Sequence, residues 1–215
     1  MNALARIITV GHGTTPATDF AALLHQAGVV ELVDVRTAPG SRRNPQFAKS
    51  EMERWLPEQN IGYRWDKRLG GWRKVEPDSP DTAVRHSSFR AYAGHMRTAE
   101  FRAGITDLLE LAQQVQQQAT QQRNDEGPSP EPDSAAGAPA AKSPNPAVAI
   151  MCSETVWWRC HRRMIADYLV LARDIPVHNL MPGGKLPAHS PMPAARLAAG
   201  PHRPELIYDV PDDPA

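Results

Sequence analysis

Residues 5–36, ARIITVGHGTTPATDFAALLHQAGVVELVDVR, constrain the fold more than any other stretch. The β-branched run ARIITV ends in glycine and reads as a buried strand finishing near Val10. Thr15 suits a helix N-cap and Pro16 the first helical position. Phe20, Leu23, Leu24 and Ala27 then recur along one helical face, and Gly28 suits the C-terminal cap. VVELVDVR is a second strand. A strand, a helix and a strand joined by short turns make a βαβ unit, which implies a parallel sheet with helices packed on it.

The rest of the chain extends that pattern. APGSRRNPQF is a loop broken by Pro39, Gly40 and Pro45. A helix is expected over Ala48–Gln59, a strand at IGYRW and a loop at RLGGWRKVEPDSPDT. Two helical segments follow, SFRAYAGHMR and TAEFRAGITDLLELAQQVQQQ. From Ala119 to Pro146 the composition changes to Ala, Pro, Gly, Ser and acid, with six prolines and no aromatic. Such a stretch buries too little apolar surface to fold, and a disordered insertion is expected there. PAVAIMC is a core strand, VWWRCHRRMIADYLVLAR a helix and IPVHNL another strand. The expected fold is therefore a three-layer α/β domain over residues 5–186, Rossmann-like, its mostly parallel sheet covered by helices on both faces. Residues 187–215 form a proline-rich tail with an edge strand at 205–210.

Composition removes some classes of function. Lys+Arg and Asp+Glu each number 24, so the whole chain carries no nucleic-acid signal. Between Arg36 and Lys74, however, ten basic residues face four acidic ones. That stretch is either an anion-attracting surface or a solvated face. No apolar run approaches the roughly 18 residues of a membrane helix, and the N-terminus turns strand-like too soon for a signal peptide. Two cysteines make no disulfide framework. A reduced, cytoplasmic protein without a membrane partner is expected.

In open parallel sheets ligands bind outside the carboxyl ends of the strands. Three strand ends carry polar groups here: Gly11-His12-Gly13, Asp34-Val35-Arg36 and Cys152-Ser153-Glu154. The two glycines let backbone approach a ligand, although the same residues make a tight turn. Asp34 and Arg36 share one side of a strand; they either orient an anion site, with Arg42, Arg43 and Asn44 close behind, or close the sheet edge as an ion pair. Cys152 stands where a strand stops and a helix approaches, a position that favours thiolate. Glu154 and His161 suit acid, base or orienting roles. Buried cysteine is also ordinary core filler.

Helical steps from Trp157 put Trp157, His161, Met164, Tyr168 and Leu171 on one stripe, with Arg159, Arg162 and Arg163 opposite and facing water. The spacing C-x7-C-H lacks the paired knuckles of zinc sites, so no metal is expected. A phosphatase-type loop would put arginine six positions after cysteine. Position 158 is Trp and Arg159 falls one too far.

The segments TVGHGTTPATDFAALL, LVDVRTAPGSRRNPQF, LGGWR, SFRAYAGHM and IMCSETVWWRCHRRMIADYL together resemble the DUF488 family, from about Ile7 to Leu180. The resemblance implies a compact α/β domain with a mostly parallel sheet, and no established reaction or cofactor. It marks Gly11, His12, Asp34, Arg36, Pro39, Ser41, Asn44, Phe47, Gly70, Gly71, Phe89, Tyr92, Ala93, Met96, Cys152, Glu154, Cys160, His161 and Arg162 as family-typical. Gly13 stands where many relatives carry serine, which removes a hydroxyl from this turn.

The candidate catalytic set is thus Cys152, Glu154, Cys160 and His161. The candidate ligand-binding set is Gly11, His12, Asp34, Arg36, Ser41, Arg42, Asn44, Gly70, Gly71, Tyr92 and Arg162. Three functions compete. One is an enzyme acting on an anionic, phosphate- or nucleotide-like substrate. Another is a non-catalytic module for phosphate or nucleic acid, whose binding would depend steeply on salt. The last is a thiol redox or partner-binding protein, which requires the Cα atoms of Cys152 and Cys160 to approach within about 7 Å.

Overall fold

The computed structural model describes residues 4–40, 42–125, 145–200 and 203–209. Strand β1 spans Arg6–Gly11, helix α1 Ala17–Gln26 and strand β2 Val29–Asp34, so the opening βαβ unit forms where the sequence places it. Gly28 follows the helix at φ 75°, a left-handed turn that glycine adopts without strain. Helix α2 (Lys49–Glu58) and strand β3 (Gly62–Trp65) come next, then helices α3 (Ser87–Met96) and α4 (Ala99–Asp125). Strand β4 (Ala147–Cys152), helix α5 (Arg162–Arg173) and strand β5 (Val177–Asn179) complete the main layer.

The five strands lie in the order β3-β2-β4-β1-β5, every neighbouring pair parallel. The crossover from β1 to β2 leaves a gap of one strand, and β4 fills it. Alternating residues divide the core as a strand period of two requires. Ile7, Val33, Val148, Ile150 and Cys152 face α3, α4 and α5. Ile8, Val10, Leu32, Ala149 and Met151 face α1 and α2. Helices therefore cover both faces, the expected three-layer architecture.

Helix α4 runs to Asp125, past the expected boundary at Ala119. Residues 119–125 contain no proline or glycine, and their Ala, Gln and Arg favour continued helix. The remainder of the predicted insertion, 126–144, lies outside the described residues. Glu205–Tyr208 (β7) pairs antiparallel with Ala195–Ala198 (β6) in a separate ladder, rather than at the edge of the main sheet. Among the described residues no helix is long and apolar enough to cross a membrane.

The largest departure lies in VWWRCHRR. Trp157–Arg159 form a single 3₁₀ turn, Cys160 is extended (φ −129°, ψ 149°), and α5 begins only at Arg162. One extended residue resets the helical phase. Arg162 therefore turns inward and is 1% exposed, where an unbroken helix would have left it in water.

Candidate functional site

Register sets the site. Gly11 pairs with Cys152 and Asp34 lies opposite Met151, so the ends of β1, β4 and β2 stand side by side with Cys152 in the middle. A cleft of about 710 Å³ opens over these ends. Its walls include His12, Gly13, Arg36, Arg43, Asn44, Gly71, Trp72, Phe89, Cys152, Glu154, Arg159, Cys160 and His161. A smaller groove of about 430 Å³ between β3 and α4 touches none of these strand-end groups.

On the β2 side, Asp34 is fully buried. Arg36 donates to it from Nε (2.8 and 3.0 Å) and Nη2 (2.5 Å), and the Arg36 backbone N–H donates at 3.0 Å. The Tyr63 hydroxyl donates to Asp34 Oδ2 at 2.8 Å. Burial and the adjacent carboxylate push the Tyr63 phenol well above its ordinary range, so it remains a donor. Arg36 Nη2 also donates to the carbonyl of Phe47 at 2.9 Å. The DVR motif is an ion pair that closes the sheet edge, and one flank of its guanidinium borders the cleft.

That flank meets His12, whose Nε2 lies 3.3 Å from Arg36 Nη1. His12 Nδ1 lies 2.9 Å from the carbonyl of Gly13. Arg36 can only donate and the carbonyl can only accept, so the proton sits on Nδ1. Burial and the Arg36 charge lower the His12 pKa to about 4, which keeps the ring neutral at physiological pH. The ring stacks on Phe47 at 4.1 Å. Gly13, at φ 52°, turns the backbone into the cleft wall.

On the β4 side, Cys152 and Cys160 are joined as a disulfide with Cα atoms 7.4 Å apart. The sulfurs meet although the separation slightly exceeds the 7 Å expected from sequence. Of the states open to Cys152 from sequence, the structure shows it paired with Cys160, and neither cysteine is free. The extended Cys160 is what points its side chain back at the strand end.

Arg162 lies directly behind Cys152. Its Nη1 donates to Cys152 Sγ at 3.1 Å and to the carbonyl of Glu154 at 2.6 Å, and Nη2 donates to the carbonyl of Thr155 at 3.0 Å. Burial lowers its pKa to about 10, so it stays charged near neutrality. Among the described residues no carboxylate bonds to it, and its buried Nε has no hydrogen-bond partner. The Glu154 backbone N–H approaches the same sulfur at 3.4 Å. Two positive poles thus converge on Cys152.

His161 completes the wall. Its Nε2 donates to the carbonyl of Val35 at 2.9 Å, which leaves Nδ1 unprotonated and 3.5 Å from Cys160 Sγ. Burial, with Arg162 and Arg73 nearby, lowers its pKa to about 4. Cys152 Sγ, Cys160 Sγ and a His161 ring nitrogen all lie within 4.8 Å of one another.

Several expected ligand-binding residues serve the site from behind. Gly11 is a spacer: a Cβ there would fall 1.8 Å from the Glu154 carbonyl oxygen and within 2.8 Å of the Arg162 guanidinium. Gly71 leaves room for the His161 ring, and Gly70 for the Thr37 hydroxyl. Tyr92 is fully buried and donates to the carbonyl of Leu69 at 2.8 Å. Arg42 is exposed and does not line the cleft; Ser41 lies outside the described residues. The anion-attracting surface inferred from Arg36–Lys74 is thinned by ion pairs, most of them to acids outside that stretch. Arg64 pairs with Glu31, Arg68 with Asp66 and Asp107, and Arg73 with Glu100. Arg43 and Arg159 are the rim cations on the cleft wall. Arg159, expected in water, is exposed and stands at the cleft rim, and the 80% exposed indole of Trp72 also lines the cleft. Trp72 directly follows the tight Gly70-Gly71 pair.

The family model of DUF488, a domain of unknown function, matches residues 16–120 and 129–169. No curated protein and no solved structure matches the chain. The family match spans more than half of the chain and covers α2, β3, the LGGWR loop and the Cys152–Arg162 segment: the chain belongs to the DUF488 family.

Proposed function

We propose that the cleft performs thiol–disulfide chemistry on a small anionic substrate, with Cys152 as attacking sulfur and Cys160 as resolving sulfur. The observation that carries this reading is the meeting of the two sulfurs on the cleft wall, beside a buried guanidinium that donates to Cys152 Sγ and to which, among the described residues, no carboxylate hydrogen-bonds. A cation and a backbone N–H at hydrogen-bonding distance favour a sulfur that carries negative charge. In the reduced protein, the Cys152 thiolate attacks a substrate disulfide. The S–S bond breaks, one substrate half leaves as thiolate, and a mixed disulfide remains. Cys160, its S–H held by His161 Nδ1, then attacks Cys152 Sγ and closes the protein disulfide. The second substrate half leaves with the Cys160 proton. The substrate gains two electrons and an external thiol reductant restores the pair. Arg43 and Arg159 on the rim supply the preference for anions.

The test is a rate comparison on reduced protein under chelator. 5,5′-Dithiobis(2-nitrobenzoate) serves as an anionic disulfide and 2,2′-dithiodipyridine as a neutral one. The anionic probe should react faster than with a free thiol, and a second equivalent of leaving group should follow as Cys160 closes. Cys160→Ser should stop at the mixed disulfide. The Arg43→Ala/Arg159→Ala variant should lose about tenfold with the anionic probe only, the factor for about 1.4 kcal/mol. A Cys152 no faster than a free thiol, or two probes affected alike, would refute the reading.

A further inference from the structure

The geometry points to a second use of the same wall: we infer that the reduced pair and His161 bind a single thiophilic cation of the Zn²⁺ type, with one coordination position open to the cleft. This does not depend on the thiol exchange proposed above, because it needs only the positions of three donor atoms. The C-x7-C-H spacing offers these ligands without a zinc-site signature. The fold makes it by breaking the helix at Cys160, which brings Cys152 Sγ, Cys160 Sγ and a His161 ring nitrogen within 4.8 Å of one another.

One edge of a tetrahedral site is already in place. Bonds of about 2.3 Å to sulfur and about 2.05 Å to nitrogen put S and N about 3.6 Å apart across a tetrahedral edge. Cys160 Sγ and His161 Nδ1 are 3.5 Å apart. The same bonds set a sulfur–sulfur edge of about 3.8 Å, so the sulfurs must part once reduced. The backbone allows it. The Cα separation of 7.4 Å lies outside the roughly 4.4–6.8 Å usual for disulfides.

The surroundings also match what such a site requires. A ligating histidine normally donates its other ring N–H to a carbonyl or carboxylate, which fixes the tautomer. His161 donates Nε2–H to the carbonyl of Val35 at 2.9 Å, so Nδ1 presents its lone pair. Arg162 Nη1 and the Glu154 N–H, at 3.1 and 3.4 Å from Cys152 Sγ, are outer donors to a thiolate ligand. All three donors line the cleft, so a water or substrate atom can take the fourth position. Two cysteines, a histidine and an open position form a set that zinc uses in catalytic sites.

The oxidised pair has no thiolate to offer. A two-electron reductant, a thiol or a phosphine with water, must first deliver two electrons and two protons to the disulfide. Cation binding then releases those two protons to solvent and leaves the sulfur oxidation state unchanged. Disulfide and metal are therefore exclusive states of one wall.

The experiment uses the full chain, reduced with a phosphine and handled without oxygen, or oxidised with diamide. Zn²⁺ uptake is measured by equilibrium dialysis, and Co²⁺ replaces it for spectroscopy. The reduced protein should hold Zn²⁺ at least 100-fold tighter than the oxidised protein, a ratio chosen to exceed the 10–100-fold effects of outer-shell changes. Its Co²⁺ adduct should show thiolate-to-cobalt charge transfer and the intense visible bands of tetrahedral cobalt. Cys152→Ser and Cys160→Ser should each lose about half of the charge-transfer intensity, and His161→Asn should shift the visible bands while retaining it. Equal uptake by the reduced and oxidised forms, or octahedral cobalt without charge transfer, would overturn the inference. The wild-type comparison alone decides it if a variant fails to fold. The chelator-treated disulfide assay fails or succeeds independently, so the two proposals can be told apart.

Discussion

Gly11→Ala tests the arrangement at its tightest point. A Cβ at position 11 would lie 1.8 Å from the Glu154 carbonyl oxygen, and 2.7 and 2.8 Å from the two terminal nitrogens of Arg162. Real Cβ contacts essentially never fall below 3.0 Å, so the carbonyl must retreat by roughly 1.2 Å. That oxygen accepts from Arg162 Nη1 at 2.6 Å, and the guanidinium is closed in by the same methyl. A lost hydrogen bond to a charged group costs about 1.5–3 kcal/mol. Overpacking costs about 1–3 kcal/mol more. The lower backbone entropy of alanine returns about 0.5–1 kcal/mol. The net loss is then about 1.5–5.5 kcal/mol, read as a lower urea midpoint at unchanged slope with the disulfide intact. Gly40→Ala is the control: nothing lies within 4 Å of a Cβ there, and a change within about 0.5 kcal/mol is expected. A Gly11→Ala protein within about 1 kcal/mol of wild type would refute the reading of Gly11 as the spacer for Arg162.

Two further outcomes follow from buried polar groups. Asp34→Asn leaves the Arg36 guanidinium buried without a counter-charge and should cost about 3–5 kcal/mol, whereas Tyr63→Phe removes one hydrogen bond to Asp34 and should cost about 1–2 kcal/mol; equal losses in urea unfolding would contradict the ion-pair assignment. His95, with Nε2 2.6 Å from the carbonyl of Arg68, has its pKa lowered by burial, so the unfolded chain binds its proton first as the pH falls. Stability should therefore decline below about pH 6.5, by at most about 1.4 kcal/mol per pH unit from this group, until the folded pKa is passed. His95→Gln should flatten that decline by about one proton, and an unchanged slope in pH-dependent unfolding would argue against it.

The layers of this fold are legible because two periods alternate cleanly along the chain. Ile7, Val33, Val148 and Ile150 fall on one face of the sheet and Ile8, Leu32 and Ala149 on the other, as strand alternation requires. The strand-end site is legible for the same reason, since parallel strands deliver their carboxyl ends to one edge. Two things escaped sequence reasoning. The first is the extended backbone at Cys160. No proline or glycine interrupts residues 157–163, so helical stepping carried on through a break that tertiary packing imposes. That single error moved Arg162 from core to solvent. The second is remote charge pairing. Counting charges from 36 to 74 overlooked Glu31, Glu100 and Asp107, each supplied by another element. A window of sequence registers charge, while only the fold registers which charges face one another.

The break at Cys160 also explains why the proline-rich C-terminal segment is built into the domain. A 3₁₀ turn of three residues followed by an extended residue has too few internal hydrogen bonds to hold itself. The Trp157 ring of that turn packs edge-on against His189 at 5.0 Å. His189 Nε2 lies 2.6 Å from Asp167 Oδ1 on α5, and its Nδ1 lies 3.3 Å from Asn179 Nδ2 at the end of β5. Tyr208 of β7 donates to the other Asp167 oxygen at 3.1 Å. His189, Asp167, Asn179 and Tyr208 are all buried, so each hydrogen bond forms where water cannot compete. The tail thus clamps the helix that carries Arg162 and the turn that carries Cys160 onto one frame. Arg159, Cys160 and His161 reach the cleft from a segment with little rigidity of its own. Their placement against Cys152, on a central strand, depends on the residues after 187 as much as on the sheet.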